Sequence, residues 1–374
     1  MFVDIYAIQT VPSSNINRDD TGNPKSALFG GVYRARVSSQ AWKRAIRSEF
    51  LGLLDKKELG VRTKLAAELI ADAIIDKRPD LSGDAVALAA AALNAAGIAV
   101  EASKRSGDDE GKPSTKYLVF ISRAEIENLA DVAITWWDKG DEWKSAASKQ
   151  MKKDVAPVLH GFQGIEIALF GRMLADAPDL NVDACCQVAH AISVDAVTQE
   201  YDYFTAVDDC VADDNAGAGM IGTVGFNSST LYRYATIDTD SLTGQLGSRE
   251  ASARAVTAFV EAFVRAMPTG KQNTFANRTL PNAVMVSVRD RQPVNLVSAF
   301  ECPVRASSSE SVSRRASELL GERAHAVEEM FGVGARAAWN VVDGDPVEQL
   351  DMVSKHVSLR EMLEELGSEL LAGE

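Results

Sequence analysis

One short stretch collects the side chains that bind phosphate: Arg18, Lys25, Lys43 and Arg47, with Asn17, Ser38 and Gln40 among them. Arg and Lys bring charge to phosphate oxygens, and the neutral donors fix register, so the mixture suits a polyanion's backbone rather than its bases. Gly30-Gly31 lies inside the stretch and permits close backbone approach. Ser38-Ser39-Gln40 reads as a helix start, where dipole and first-turn N–H groups together favour an anion. From Asn15 to Arg47 there are seven Lys or Arg against two Asp, a balance of +5 in a chain of −14. Charge segregated in this way serves an acidic partner. A solvated helix face behind a polar loop gives the same pattern.

A second acid-free stretch, Pro268 to Arg278, carries Lys271, Gln272, Asn273, Asn277 and Arg278. It reads either as the edge of an RNA site or as a polar turn after a helix. Asp19-Asp20, Asp208-Asp209 and Asp213-Asp214 are carboxylate pairs of the kind that hold Mg²⁺ for strand cleavage. Adjacent side chains diverge, so each pair supplies only part of a site, and loop solvation is the favoured reading of them. Trp136-Trp137, Tyr203-Phe204 and Met173 suit base stacking, worth roughly 1–3 kcal/mol per base. Trp136-Trp137 also fits a helical core, and His190 reads as a core histidine on a strand.

The elements that must position these residues follow from pattern. The 374 residues are 46% hydrophobic and 25% charged, an ordinary globular composition. No run of 18 apolar residues suggests a membrane span, and Met1-Phe2-Val3-Asp4 opens as a strand rather than a signal peptide. Four cysteines without CxxC spacing and four scattered histidines point to reducing cytosol and away from a disulfide frame or metal site, and no cofactor is expected. A strand over Phe2–Thr10 is followed by a polar loop to Tyr33 and a helix from Ser38 or Ser39, with Trp42, Ile46, Phe50 and Leu53 on its buried face. Alanine-rich helices dominate from about residue 62 to 176, including one opened by a Ser122-x-x-Glu125 capping box. Strand character returns at Val188–Val194, where Asp195–Asn227 then reads as a long acidic hairpin with a glycine-rich centre. Further strands are expected at Leu231–Ile237, Ala283–Val288 and Val294–Phe300, with late helices, the last opened by a Ser358-x-x-Glu361 capping box.

Without the helical block and the hairpin, the order is β-α-β-β-α-β, that of a ferredoxin-like or RRM-type fold. The expected class is α+β: an RRM-like palm from residues 1–60, 181–195 and 227–374, a helical insertion at 61–180, and a protruding hairpin at 196–226.

Asn15-x-Asn17-Arg18-Asp19-Asp20, Phe29-Gly30-Gly31, Arg36-Val37-Ser38-Ser39-Gln40-x-x-Lys43-Arg44, Gly171-Arg172-Met173 and Phe204-Thr205-Ala206-Val207-Asp208-Asp209 together resemble the CasC family, the backbone subunit of the type I-E CRISPR Cascade complex. The resemblance runs in order from the first strand to Pro281. It implies an RRM-type palm, helical fingers and a hairpin thumb, arranged like a right hand. Copies would stack helically along one CRISPR guide RNA, kink it at intervals and present bases to target DNA. Other Cascade subunits would join them: a guide-processing endonuclease, a 5′-handle cap subunit, and small and large subunits. Asn17, Arg18, Lys25, Ser38, Gln40, Lys43, Arg47, Lys271 and Asn273 would then meet guide RNA, with Met173, Phe204 and Thr205 wedged against displaced bases. Family members can carry a basic residue directly after Gly-Gly, where this chain has Val32, so Arg34 or Arg36 is expected to substitute. The acidic hairpin is expected to meet a basic face of the next copy. The resemblance implies no catalysis. The competing readings are a metal-dependent ribonuclease using Asp19, Asp20 or Asp208, and an adaptor whose basic face binds an acidic protein.

Overall fold

The computed structural model describes residues 1–103, 111–144, 148–206 and 220–372. The chain divides into two compact units: residues 1–49, 187–239 and 256–374, and residues 50–186 with 240–255. Asp240–Ala255, expected with the palm, belongs to the second unit.

The first unit is built on one large sheet. Elements lying wholly or partly in it are, in chain order, β1 (Phe2–Ser14), β2 (Ser26–Phe29), β3 (Val32–Val37), α1 (Ser39–Leu53), β4 (Ala191–Ser193), β5 (Glu200–Ala206), β6 (Met220–Asp238), α2 (Arg249–Arg265), β7 (Ala283–Arg289), α3 (Val312–Phe331), β8 (Ala337–Val342) and α4 (Leu359–Ala372). Strands run in the order β8-β7-β1-β6-β4-β3-β2, each antiparallel to its neighbour. The central order β7-β1-β6-β4 is the one two split β-α-β units produce.

Val3 to Ile8 are buried on both sides of β1, as expected of a strand covered on both faces. On one side Tyr6, Ile8, Tyr232, Tyr234 and Met285 pack with Phe300 and with Ala316, Leu320 and Ala324 of α3. Towards β3, Val11, Ala35, Val37, Ala191 and Leu231 pack with Trp42 of α1 and with Met267. Ser38 caps α1, its Oγ accepting the Ala41 N–H at 3.3 Å. The Ser358 box forms as its spacing predicts, with Ser358 N–H to Glu361 Oε2 at 2.9 Å and Glu361 N–H to Ser358 Oγ at 3.2 Å.

Two strand expectations fail. Val294–Phe300 is not a strand but ends in a 3₁₀ turn, Val297–Phe300, because the Tyr232 hydroxyl and Asn295 Oδ1 accept the Leu296 and Val297 N–H groups. The place beside β7 is taken instead by β8. Val188–Val194 is interrupted between Cys186–Val188 and β4, which leaves His190 exposed rather than in the core.

The second unit is mainly helical. Ala66–Lys77, Ala85–Ala95, Arg123–Lys139 and Lys149–Leu159 enclose Ile70, Ile74, Leu88, Leu129 and Val155. The many alanines allow close helix approach, and Trp136 is buried among them with Trp137 packed alongside. Gly60–Thr63 pairs with Val119–Ser122 beside these helices. The Ser122 capping box closes as expected, at 2.7 and 3.1 Å.

Candidate nucleic-acid interface

The residues after β1 form a loop held at several points. Asp19 organises its turn, its Oδ1 accepting the Thr21 N–H, the Thr21 hydroxyl and the Asn23 N–H at 2.9, 2.7 and 3.0 Å. The Thr21 hydroxyl and these backbone donors hold the Asp19 carboxyl below the usual carboxylate range. Asn15 is fully buried and donates to the Gly22 and Gly225 carbonyls at 3.0 and 2.8 Å. Gly225 lets the loop come close, since a Cβ there would stand 2.5 Å from Asn23 Oδ1. The loop is thus fastened to the base of the β5–β6 hairpin.

Asn17 serves the loop twice. Its carbonyl accepts the Lys25 N–H at 2.9 Å, and its Oδ1 accepts the Ser38 N–H at 2.8 Å. The Asn17 side chain therefore orients the start of α1, where the Ser39 and Gln40 N–H groups lie in the first turn and have no intrahelical acceptor. Gln40 and Arg44 are exposed there, and Lys43 and Arg47 half-buried.

Arg34 is a correction to the sequence reading. It is fully buried, and its five N–H groups meet five carbonyls: Nε with Phe29, Nη1 with Ser193 and Val194, Nη2 with Phe300 and Glu301. A guanidinium has five donors and no more, so none remains for phosphate. Gly30-Gly31 is also structural, the two-residue turn between β2 and β3 with φ of +57° and +78°, as a type I′ hairpin requires. A Cβ on Gly30 would collide with the Glu301 carbonyl at 1.7 Å. Arg36, on the same face of β3, is left half-exposed, with Nη1 3.3 Å from His190 Nδ1. Sequence reasoning missed that pairing, because His190 read as core.

The structure brings the two basic stretches together. Gly270 lies against the loop so closely that a Cβ would stand 2.4 Å from the Ile16 carbonyl oxygen. Arg278 pairs with Glu49 of α1 at 2.8 Å, and Phe275 contacts Phe226 at 5.8 Å between ring centroids. Lys271 and Ala276 flank the single helical turn Gln272–Phe275 with φ of +52° and +47°. Left-handed non-glycine residues cost roughly 1–3 kcal/mol each and gather at ligand-binding sites. Lys271 is half-buried and Asn273 exposed.

Several cations elsewhere in the chain are paired with carboxylates. Lys77, Arg78, Arg172, Arg254, Arg289, Arg315, Arg336 and Lys355 all reach carboxylates within 3.3 Å. Among the described residues Arg18, Lys25, Arg36, Arg44 and Lys271 enter no ion pair.

Other predicted residues lie elsewhere. Met173 belongs to the second unit and is 84% exposed. It follows Gly171, at φ +78°, and Arg172, which is buried against Glu125 at 2.5 Å and donates to the Leu159 and Leu180 carbonyls. The Gly-Arg-Met string thus has a structural anchor and a displayed thioether. Met173 lines a cleft of about 530 Å³ with Arg62, Phe120 and Asp183. Phe204 and Thr205 are exposed on β5, and Phe204 pairs with Gly222, where a Cβ would stand 2.4 Å from the ring. Tyr201, Tyr203 and Ile221 are also exposed on this hairpin. Asp208, Asp209, Asp213 and Asp214 lie outside the described residues. Among the described residues no three His, Cys, Asp or Glu converge as metal ligands, and no helix is long and apolar enough to cross a membrane.

An α+β chain with such an edge is similar in structure to chains of CRISPR RNA-guided surveillance complexes. One, from a complex captured before nicking, matches with a TM-score of 0.84 at 33% identity, over 99% of this chain and 100% of that one. A second matches with a TM-score of 0.62 at 26% identity, over 98% and 99%. The chain belongs to the CT1975-like protein family, Cas_CT1975, whose profile matches residues 3–368. Among curated proteins none matches.

Proposed function

We propose that this chain is the guide-RNA-binding backbone subunit of a Cascade complex of type I-E, as its resemblance to CasC implies. Family membership and the likeness to surveillance-complex chains support a Cascade-type component. The observation that carries the RNA-binding role is the edge itself, where two basic stretches some 220 residues apart meet and Arg18, Lys25 and Lys271 have no carboxylate partner among the described residues. An acidic remainder discourages RNA from wrapping elsewhere.

In this reading the β7-β1-β6-β4 sheet is an RRM-type palm, the helical unit the fingers, and the β5–β6 hairpin the thumb. Asn17 and Ser38 set register, while Arg18, Lys25, Lys43, Arg47 and Lys271 neutralise guide phosphates. Met173, Phe204 and Thr205 displace bases. Copies of the chain stack along one guide beside the other Cascade subunits, and base pairing reads the target DNA. The subunit is a scaffold without catalysis, and Asp19 serves its own turn rather than a metal.

Native mass spectrometry of the purified protein, with and without nuclease, should report RNA-bound oligomers that nuclease dissolves. With about 0.7 counterions released per single-strand phosphate, those five cations predict a salt slope near −3.5 per subunit. A slope near zero overturns the reading. Incubation with complementary RNA and Mg²⁺ should leave every strand intact, and cleavage would favour the nuclease alternative.

A further inference from the structure

We infer that Arg233 is a positioning residue for RNA binding, a buried cation without a carboxylate of its own that braces α1 from beneath and lends its charge to the bound polyanion. The inference rests on the RNA-binding reading above. Four arginines are buried among the described residues, Arg34, Arg172, Arg233 and Arg289. Arg172 meets Glu125, Arg289 meets Asp4 and Glu328, and Arg34 gives its five N–H groups to carbonyls. Arg233, on β6, enters no ion pair among the described residues. Its Nη1 donates to Gln9 Oε1 at 2.7 Å and its Nη2 to the Phe263 carbonyl, while Nε has no acceptor.

Its neighbours show where that charge acts. The guanidinium lies 3.8 Å from the centroid of the Trp42 ring on α1 and 4.2 Å from that of Phe263 on α2, and ring faces attract a cation. The Phe263 carbonyl belongs to the last turn of α2, the negative end of the helix dipole. Gln9 extends the link, its Nε2 donating at 2.9 Å to the carbonyl of Thr279, which directly follows Arg278 of the second basic stretch. Trp42 is itself followed by Lys43 and Arg44. Arg233 therefore stands behind both basic stretches. Ring faces and one helix end answer a buried charge only in part, and an unpaired charge destabilises the fold. Burial alone lowers the guanidinium, to about 9, so it is charged at neutral pH. None of the charged groups on the elements packed against it contributes: Asp4 on β1, Lys43, Arg47 and Glu49 on α1, Glu261 and Arg265 on α2. Salt screens such an interior charge little. A polyanion laid along α1 is the counter-ion that the fold does not supply.

The test uses the full chain and single-stranded RNA of mixed sequence, titrated across salt, with thermal unfolding recorded with and without RNA. Arg233→Met keeps an apolar stem and removes the charge, so without RNA it should unfold no earlier than wild type. It should bind RNA about fivefold more weakly, the scale of one unit charge felt through protein. Its salt slope should be unchanged, because no phosphate contact is lost. Arg233→Lys puts a titratable charge in the same place. Its RNA affinity should rise towards that of wild type as pH falls from about 9 to about 6, a response absent from Arg233→Met. The lysine variant carries the test if Arg233→Met fails to fold. Folded Arg233→Met binding like wild type on a steep wild-type slope would overturn the inference and leave the RNA-binding reading standing. Equal losses of stability and affinity in both variants, with no pH response of the lysine, would show packing alone and overturn it too. A flat wild-type slope would overturn the RNA-binding reading instead.

Discussion

Some cations of the helical unit and some of the basic edge are held in different ways. In the helical unit Lys77 reaches Glu127 and Asp131, Arg78 reaches Asp80 and Asp138, and Arg172 is buried against Glu125. At the edge, Arg18, Lys25, Arg36 and Lys271 have no such partner among the described residues. In a chain of net charge −14, carboxylates are plentiful, and in the proposed function the cations kept apart from them meet guide phosphate. Arg34 belongs with the helical pattern although it lies within the basic stretch, because its donors are satisfied internally.

This contrast can be broken by substitution. Arg172→Ala leaves the buried Glu125 carboxylate without its charge partner, held only by the Ser122 N–H, and should cost about 3–5 kcal/mol in urea unfolding. Arg34→Ala uncaps five carbonyls and should cost about 3 kcal/mol, a loss Arg34→Lys cannot restore without the fork. Either variant unfolding like wild type would place that arginine with the free cations. Replacing Arg18, Lys25 and Lys271 together by Gln should move stability by no more than about 0.5 kcal/mol, yet make the RNA salt slope shallower by about 2. A large stability loss there would show that the edge is structural. Gly270→Ala forces the Ile16 carbonyl aside and should cost about 1–3 kcal/mol, with weaker RNA binding as Lys271 is displaced. Arg78→Gln removes exposed pairs and should cost under about 1 kcal/mol with RNA affinity unchanged.

Pattern made the skeleton legible. Trp42, Ile46 and Phe50 at helical spacing are the buried face of α1, and both capping boxes close as their spacing predicts. Long-range covering was not legible. Arg34 and Arg36 are two residues apart on one strand and share a face, so nothing local separates them. What does is the Phe300–Glu301 backbone, which covers one and not the other. Gly30 has the same history, since its need for glycine comes from Glu301 as well as from the turn. His190 was misplaced because alternation from Val188 to Val194 ignores a break between two short pairings. That Lys271 adjoins the loop after β1 depends on the contact of Gly270 with Ile16, which no spacing encodes.

The pairing of β1 has a consequence in time. Ala7 lies opposite Arg233 on one side and Val284 on the other, so the first strand emerges long before either neighbour. At about 5–20 residues per second during synthesis, its second partner follows roughly 15–55 s later. Residues 50–186 supply most of the helical unit and emerge within that interval. A nascent chain therefore carries a first strand with one side unpaired until translation passes β7. Truncation before Ala283 would release a chain with that side of β1 unpaired and exposed to aggregation.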